Sequence, residues 1–292
     1  MERGAGSDDH RYEHDPGRAL GRRALLIGVL VVAGLMSTLA SAATLDEIKK
    51  RGYMVVVTED DFRPFEYIQD GKPVGYDNEL IEKLRKFVPF EIKQEIIPWT
   101  GLLAGVSTGK YDIAITVAII TKERQQSLDF SMPIAAVTDY YLKRKNDNKI
   151  ESIKDLSGRP LGIQAGSALL QHLPQLKAKL ESMGGHLGEV VQYTSYPEAY
   201  QDLAIGRTDF VINTLINLNT IVKEKPDVFA VGEAVAAPAY AAWPVKKGNA
   251  ELLALINQFL AQERGNGELL ALQNKWLGVE MPDMPTSFTA EY

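Results

Sequence analysis

The 292-residue sequence contains no cysteine. This absence excludes disulfides, thiolate metal sites and cysteine nucleophiles, and also the lipid-modified cysteine that tethers many exported bacterial proteins. A basic surface is lacking too, because 32 Lys and Arg residues face 38 Asp and Glu residues, for a net charge of −6. Since binding to phosphate backbones requires basic residues, we do not expect a nucleic-acid partner.

Histidines are few, and the usual catalytic motifs are missing. The four histidines are at positions 10, 14, 172 and 186 and show no metal-ligand spacing. The sequence has neither a P-loop nor a G-x-S-x-G motif. We therefore expect no metal, no cofactor and no set of catalytic residues.

One long apolar run lies near the start of the chain. Residues 24–35 form twelve uncharged, mostly aliphatic positions, with Arg22 and Arg23 before them and Ala40-Ser41-Ala42 after them. A basic flank, a short apolar core and an A-x-A exit predict a secretory signal peptide over residues 1–42. An uncleaved membrane anchor is the alternative, although a spanning helix needs roughly 20 apolar residues. The chain is thus expected in a periplasm, without a lipid anchor.

The remaining sequence alternates strand and helix patterns. Residues 53–59 form a β-branched run typical of a buried strand, and residues 77–88 place apolar side chains at helical spacing. This alternation predicts open parallel sheets with helices on both faces, in two α/β units divided near the polar stretch 143–151. Ligands of such sheets bind beyond the carboxyl ends of the strands, which suggests a cleft between the units. Further strands are predicted at 91–97, 111–117, 160–164, 190–194 and 209–213, and further helices at 102–107, 168–182, 197–205, 250–263 and 267–276.

Short motifs in a fixed order run through residues 44–279. They are FRPFEY (62–67), GKPVGYD (71–77), PWTGL (98–102), GKYD (109–112), ITKER (120–124), DFSMP (129–133), DLSG (155–158), GIQAGS (162–167), YPEA (196–199), GRTD (206–209) and WPVKKG (243–248). Each motif is weak alone, but their order and spacing resemble the amino-acid-type periplasmic solute-binding proteins of ABC importers.

The resemblance implies an α/β fold of the two-lobed periplasmic binding protein type (type II), with two open sheets joined by a two-strand hinge. Residues 43–138 and 244–292 would form lobe 1, and residues 139–243 would form lobe 2 with the hinge strands. Proteins of this family close on a solute like a hinge. The implied function is to capture an amino acid or an amino-acid-like carboxylate and deliver it to an ABC permease in the inner membrane, as a monomer.

The resemblance also indicates a carboxylate site. Arg124 matches the arginine that grips the ligand's carboxylate in this family, and a guanidinium fork suits a planar two-oxygen anion. A structural role is the alternative, because Thr121 can cap the helix in which Arg124 occupies the first turn. Gly166 and Ser167 lie where a predicted strand gives way to a helix, so their N–H groups can face an anion. A plain Gly-Ser turn is the other interpretation.

Other candidates concern the rest of the ligand. Phe62 and Trp99 match the positions whose aromatic rings sandwich the ligand's side chain, unless they are core residues. Glu59 matches the position where binders of cationic amino acids place an acid, although a solvated acidic turn is equally consistent with its neighbours. Arg63 replaces the proline or small residue usual in the family and is a further candidate for the cleft.

Departures from the family pattern restrict the ligand. Thr214 stands where binders of α-amino acids commonly carry a carboxylate for the ammonium, and a hydroxyl cannot neutralise a buried charge. Of the hydroxyl or small residues that usually help to hold the carboxylate, Thr116 remains, while the others read Val117, Ile119 and Ala168. We therefore expect a carboxylate with a displaced, modified or absent amine rather than an ordinary free α-amino acid.

Two other functions use the same fold. One is an accessory or sensor protein, for example the partner of a periplasmic redox enzyme. The other is a cyclohexadienyl dehydratase-like enzyme, which requires a catalytic acid in the wall of the second lobe. Thr214 occupies the place where that acid is wanted, and Glu198 follows a Tyr-Pro pair at a helix start, where a cap is the simpler role.

Overall fold

A computed structural model of the protein describes residues 43–290. The predicted signal peptide, residues 1–42, lies outside the described residues. Within residues 43–290, no helix combines the length and the apolar character needed to cross a membrane.

The described part of the chain alternates strands and helices, as expected. The strands are β1 (Tyr53–Glu59), β2 (Asp61–Phe62), β3 (Glu66–Gln69), β4 (Lys72–Val74), β5 (Glu91–Ile97), β6 (Ile113–Ala114), β7 (Ala118–Ile119), β8 (Leu128–Phe130), β9 (Ala135–Val137), β10 (Asp139–Arg144), β11 (Leu161–Gln164), β12 (Val190–Tyr193), β13 (Phe210–Thr214), β14 (Phe229–Ala234), β15 (Ala239–Ala242) and β16 (Pro244–Lys246). The helices are α1 (Leu45–Arg51), α2 (Tyr76–Phe87), α3 (Leu102–Thr108), α4 (Leu169–Ser182), α5 (Tyr196–Ile205), α6 (Leu215–Glu224), α7 (Ala250–Gly265) and α8 (Glu268–Leu272). Short 3-10 helices cover Arg124–Gln126 and Ile153–Leu156, and a π-helical turn covers Gln273–Leu277.

Two five-stranded sheets organise the fold, with strand orders β5-β1-β6-β16-β8 and β12-β11-β13-β10-β14. In the first sheet β1 is parallel to β5 and β6, whereas β16 is antiparallel to β6 and β8. In the second sheet β11 is parallel to β12 and β13, whereas β10 is antiparallel to β13 and β14. The two-lobed α/β class is confirmed, but the two open sheets, predicted to be parallel, each contain antiparallel strands as well.

The antiparallel strands arise from the way the chain crosses between the sheets. A third sheet has the order β7-β15-β9; β9 leads directly into β10, and β15 leads directly into β16. In both cases the chain enters a five-stranded sheet directly from a crossing strand and not through a βαβ unit. A βαβ unit is the connection that places two strands of a sheet parallel to each other. Lys143 and Arg144, the first residues of the polar stretch 143–151, belong to β10. The chain therefore crosses before this stretch and not within it.

Local sequence explains the elements that carry the site. In β1 the side chains of Met54, Val56 and Val57 are fully buried, as the β-branched run predicts. The predicted strand 111–117 shortens to β6, because the carboxylate of Asp112 accepts the N–H of Val55 at 2.6 Å and a tight turn follows β6. The carboxyl ends of β1, β11 and β13 bring side chains from both sheets together.

Candidate functional site

A small cavity, here called the inner cavity, is formed by residues of both sheets. Three of its lining residues end strands: Glu59 ends β1, Gln164 ends β11 and Thr214 ends β13. Its volume is about 20 Å³, which suits about one water molecule. Its position matches the rule that open α/β sheets bind ligands beyond the carboxyl ends of their strands. The lining residues are Glu59, Phe62, Trp99, Val117, Ile119, Arg124, Gln164, Ser167, Ala168, Leu169, Tyr196 and Thr214.

Arg124 reaches across the inner cavity as a buried cation. It is 9% exposed, and its backbone N–H donates to the Thr121 hydroxyl at 3.2 Å. The N-cap residue of the short helix is Glu123 rather than the predicted Thr121. The guanidinium donates to the carbonyl oxygens of Ile119 at 2.9 Å and of Gly166 at 3.2 Å. Within residues 43–290, no carboxylate forms an ion pair with it. Burial lowers the pKa of Arg124 to about 10, which still leaves it charged at neutral pH.

The other groups around Arg124 come from the loop between β5 and α3 and from the loop between β11 and α4. The Arg124 guanidinium carbon lies 5.2 Å from the centroid of the Trp99 ring, a cation–π distance. Gly166 has a φ of +72°, which turns the chain sharply after β11. The Ser167 hydroxyl accepts the N–H of Leu169, the first residue of α4, at 3.2 Å, and the Ser167 N–H donates to the carbonyl oxygen of Gln164 at 3.2 Å. The predicted Gly-Ser segment thus lies beside the predicted arginine.

Glu59 lines the inner cavity from the first sheet and is 3% exposed. Its Oε1 accepts a hydrogen bond from Gln164 Nε2 at 2.7 Å, which joins β1 to β11. Burial, the largest effect, raises the pKa of Glu59 to about 8; the Gln164 hydrogen bond opposes this rise, and the charges of Asp60 and Asp61 add to it. Glu59 is therefore mostly protonated at neutral pH, and the inner cavity carries the positive charge of Arg124.

Aromatic and apolar side chains complete the walls. The Phe62 and Tyr196 rings have centroids 5.8 Å apart and an interplanar angle of 45°. Thr214 is 1% exposed, and its hydroxyl bonds to the side-chain oxygen of Asn217. The positions at which the sequence departs from the family pattern, Val117, Ile119 and Ala168, all line the cavity and present aliphatic groups.

Three predicted contact residues do not line the inner cavity: Gly166, Thr116 and Arg63. Gly166 lies next to the cavity, where its carbonyl oxygen accepts from Arg124. The Thr116 hydroxyl donates to the buried carboxyl group of Glu66, so it points into the interior of the first lobe. Arg63 lies outside, where its guanidinium pairs with Asp61 at 3.1 Å and Glu224 at 3.7 Å and covers a tyrosine ring at 4.1 Å.

Sequence reasoning missed three residues of the cavity: Gln164, Leu169 and Tyr196. Gln164 was recognisable as a polar residue at the carboxyl end of a buried strand. Tyr196 opens α5, and its position against Phe62 depends on the packing of two lobes, which no local pattern encodes. Glu198, the acid considered for catalysis, accepts from the Thr194 hydroxyl at 2.6 Å near the start of α5 and does not line the cavity.

Metal binding finds no support in the described residues. Within residues 43–290, no group of three or more His, Asp or Glu side chains is arranged to hold a metal ion. The polar groups that line the inner cavity are a buried guanidinium, three hydroxyls, an amide and a carboxyl group, several of which can donate hydrogen bonds to an anion.

Taken together, two α/β lobes, two crossing strands and a polar cavity at the strand ends define a two-lobed solute-binding protein with the type II fold. Residues 54–279 match the family model of the bacterial extracellular solute-binding proteins, family 3, and the chain belongs to this family. The family assignment made from the motifs is confirmed.

Several similar proteins are named as amino-acid-binding proteins. The L-cystine-binding protein TcyJ of Escherichia coli K12 is 29% identical over 248 residues, which cover 83% of this chain and 90% of that protein. ABC transporter arginine-binding protein 1 of the same organism is 27% identical over 237 residues, covering 80% and 91%. A solved structure of an ancestral arginine-binding protein bound to arginine has a TM-score of 0.69 and 30% identity, covering 78% of this chain and 99% of that chain.

Two further similarities connect the family to enzymes. The ancestral amino acid-binding protein AncCDT-1, described as a precursor of cyclohexadienyl dehydratase, has a TM-score of 0.70 and 28% identity, covering 81% of this chain and 100% of that chain. The membrane-bound lytic murein transglycosylase F of Desulfosudis oleivorans is 25% identical over 240 residues, covering 80% of this chain and 50% of that protein. The family thus includes proteins with enzyme activity alongside its solute-binding members.

Proposed function

We propose that this protein is the periplasmic substrate-binding component of an ABC importer and that its solute is an amino-acid-like carboxylate. The observation that carries the proposal is the buried Arg124 guanidinium, which faces a cavity between two lobes and has no ion-pair partner among the described residues. A carboxylate bound there would supply the missing counter-charge through a two-oxygen contact. Family membership and the amino-acid-binding relatives support the same role.

The lobes are proposed to comprise residues 43–138 with 244–292, and residues 139–243. All strands of the first five-stranded sheet fall in the former ranges, and all strands of the second fall in the latter. Contacts between the lobes include Arg124 with Gly166 and Gln164 with Glu59. A solute that contacts both lobes favours the closed form by its difference in affinity for the two states.

The solute is proposed to contact Arg124 and Ser167 with its carboxylate, with Gly166 shaping the loop. Its remaining atoms would lie against Phe62 and Trp99, near Glu59 and Thr214. An ordinary α-ammonium lacks a charged partner in this cavity, because Thr214 offers only a hydroxyl and Glu59 is mostly protonated. We therefore propose a solute whose amine is displaced, modified or absent.

Export and delivery complete the proposal. Cleavage of the predicted signal peptide after Ala42 would release a chain that begins at Ala43 into the periplasm. The closed, solute-loaded monomer would then dock on an inner-membrane ABC permease.

The dehydratase-like alternative receives no specific support from the cavity. The one carboxyl group among the residues that line it, Glu59, comes from the first lobe. Thr214 occupies the second-lobe position at which a dehydratase-like enzyme requires a catalytic acid.

A thermal-shift screen of residues 43–292 tests the proposed solute class. The panel contains proteinogenic amino acids, their N-acylated and N-methylated forms, opines, betaines and amine-free acids. Because a ligand that binds only the folded state adds about 2.7 kcal/mol at a hundredfold excess over its Kd, we expect a rise in Tm with modified or amine-free carboxylates. The rise should vanish in Arg124→Leu and persist in Arg207→Leu, which alters an arginine whose side chain is 70% exposed. A panel that leaves Tm unchanged would contradict the proposal.

A further inference from the structure

A second and larger cavity, here called the outer cavity, adjoins the inner one. Its volume is about 290 Å³. Phe62 and Tyr196 line both cavities, so this pair of rings forms the partition between them. The remaining walls come from residues near β2 in the first lobe and from α5 and α6 in the second lobe. The outer cavity therefore also lies where the two lobes meet.

The interior of the outer cavity offers hydrogen-bonding groups that are themselves buried. Asn213 and Asn217 are 1% and 4% exposed and line it. Asn213 Nδ2 donates to the Tyr200 hydroxyl at 2.8 Å, and Asn217 Nδ2 donates to the carbonyl oxygen of Arg63 at 2.7 Å. Amide and hydroxyl groups both donate and accept, so they suit an uncharged polar group on a ligand.

Aromatic rings give the outer cavity an apolar wall. The Tyr196 and Tyr200 rings stack with centroids 5.8 Å apart and an interplanar angle of 29°. Together with Phe62 they present ring surface along one side. An alkyl chain or a flat group packs well against such a wall.

The charges of the outer cavity cancel one another. Its charged lining residues are two acids and two bases: Asp61, Glu224, Arg63 and Lys225. The Arg63 guanidinium lies 3.1 Å from the Asp61 carboxylate and 3.7 Å from that of Glu224. This balance favours neither a cationic nor an anionic group at the far end of a ligand.

The sizes of the two cavities suggest how they work together. The inner cavity, at about 20 Å³, has room for one small group beside Arg124, whereas ligand pockets usually measure roughly 300–1,000 Å³. A solute anchored at Arg124 can gain substantial buried area only by extending past Phe62 and Tyr196.

We propose that the outer cavity is a second subsite of the same solute. The solute is then an elongated monocarboxylate: its carboxylate binds Arg124, its chain passes the Phe62–Tyr196 partition, and its far end carries an uncharged amide or hydroxyl group that bonds to Asn213 and Asn217. This inference rests on the proposed carboxylate site and extends it to the shape of the ligand.

A length series tests the inference. The probes are monoamides of straight-chain dicarboxylic acids, from malonic to sebacic acid, measured by isothermal titration calorimetry with residues 43–292. We expect one molecule per chain and a gain in affinity of about tenfold or more, once the chain is long enough for its amide to reach the outer cavity. Thr220→Trp, which fills the outer cavity from α6, should remove this gain and leave the shortest monoamide unaffected. Asn219→Trp, on the exposed face of the same helix, is the matched control and should behave like the wild type.

The outcomes separate the two proposals. Short monoamides that bind without any gain for longer ones, a gain that survives Thr220→Trp, or two molecules per chain would each overturn the second subsite while leaving the Arg124 site standing. Failure of every monoamide to bind the wild type would overturn the carboxylate site itself, and the subsite with it.

Discussion

At the scale of single residues, the inner cavity combines two buried ionisable groups in unusual states. Arg124 keeps its charge although its hydrogen-bond acceptors are backbone carbonyls of Ile119 and Gly166. Glu59, which belongs to the same lobe as Arg124, is pushed toward its neutral form by burial. A neutral acid beside a buried cation leaves a net positive charge in the cavity, which is the electrostatic reason for proposing an anionic ligand.

Glu59 should make the stability of the protein depend on pH. Its folded-state pKa is about 8 and its ordinary value is 4.5, so between these values the folded form holds a proton that the unfolded form has released. The free energy of unfolding must then fall as pH rises through this window. Glu59→Gln removes this dependence. We therefore expect the Tm of the variant, minus that of the wild type, to increase as the pH is raised from 5 to 8.5.

The measurement is a set of thermal melts at half-unit pH steps for the wild type, Glu59→Gln and Glu95→Gln. Glu95 is an exposed residue of β5 and serves as the control. A Tm difference between Glu59→Gln and wild type that stays constant with pH would contradict the assignment of a buried, protonated Glu59.

Sequence predicted which residues lie together best where their chemistry is visible without the fold. Arg124, Glu59 and Trp99 carry charges or rings at motif positions, and all three line the inner cavity. Thr116, by contrast, was expected to contact the ligand, but its hydroxyl donates to Glu66 in the interior of the lobe. No local sequence pattern pairs these two residues, because they are brought together by the packing of the fold. The roles of Arg124, Glu59 and Trp99 in binding remain predictions.

At the scale of elements, the turn from β11 into α4 lies beside Arg124, where the carboxylate is proposed to bind. Gly166 adopts φ +72° there, and a Cβ added to it would lie 3.5 Å from Trp99 Nε1, an ordinary contact. The cost of a side chain at this position is therefore backbone strain rather than collision.

Gly166→Ala should destabilise the protein by about 1–2 kcal/mol, the usual cost of a left-handed conformation for a residue with a Cβ. It should also weaken carboxylate binding, because the strained loop carries the Gly166 carbonyl that orients Arg124. Urea unfolding and calorimetry measure the two effects. Gly184→Ala is the matched control, since Gly184 has φ +80° with nothing near its Cβ position and lies outside the inner cavity. Equal losses of binding in both variants would contradict a specific role for the β11–α4 loop.

The elements also show what periodicity predicts well. The strand predicted at 53–59 has the bounds of β1, because its β-branched run is buried. Strand direction was not predictable in the same way: β10 and β16 are antiparallel members of their sheets because they follow the crossing strands. That connection is long-range, and no local pattern distinguishes it from a βαβ unit.

At the scale of the whole molecule, hydrogen bonds join the two proposed lobes beside the cavities. Asn217 on α6 donates across the lobes to the carbonyl oxygen of Arg63 at 2.7 Å. Gln164 does the same to Glu59 at 2.7 Å. Each such bond contributes roughly 0.5–1.5 kcal/mol, enough to change the ratio of closed to open forms severalfold.

Asn217→Ala should therefore shift the protein toward the open form. We expect a larger radius of gyration in small-angle X-ray scattering, reversed by a saturating solute that binds both lobes. Asn219→Ala, two residues further along α6 on its exposed side, should leave the radius of gyration unchanged. Scattering curves that coincide for the wild type and both variants would show that the Asn217 hydrogen bond does not stabilise the closed form.

The central claim, that a buried arginine selects a carboxylate, has one direct test. The measurement is the Kd of the most stabilising acid from the thermal-shift panel and the Kd of its primary amide, both by calorimetry on residues 43–292. The amide keeps the shape of the acid and removes its charge, so we predict that it binds about a hundredfold more weakly or worse, a loss of about 2.7 kcal/mol. Equal affinities for the acid and the amide would show that Arg124 does not recognise a carboxylate and would contradict the claim.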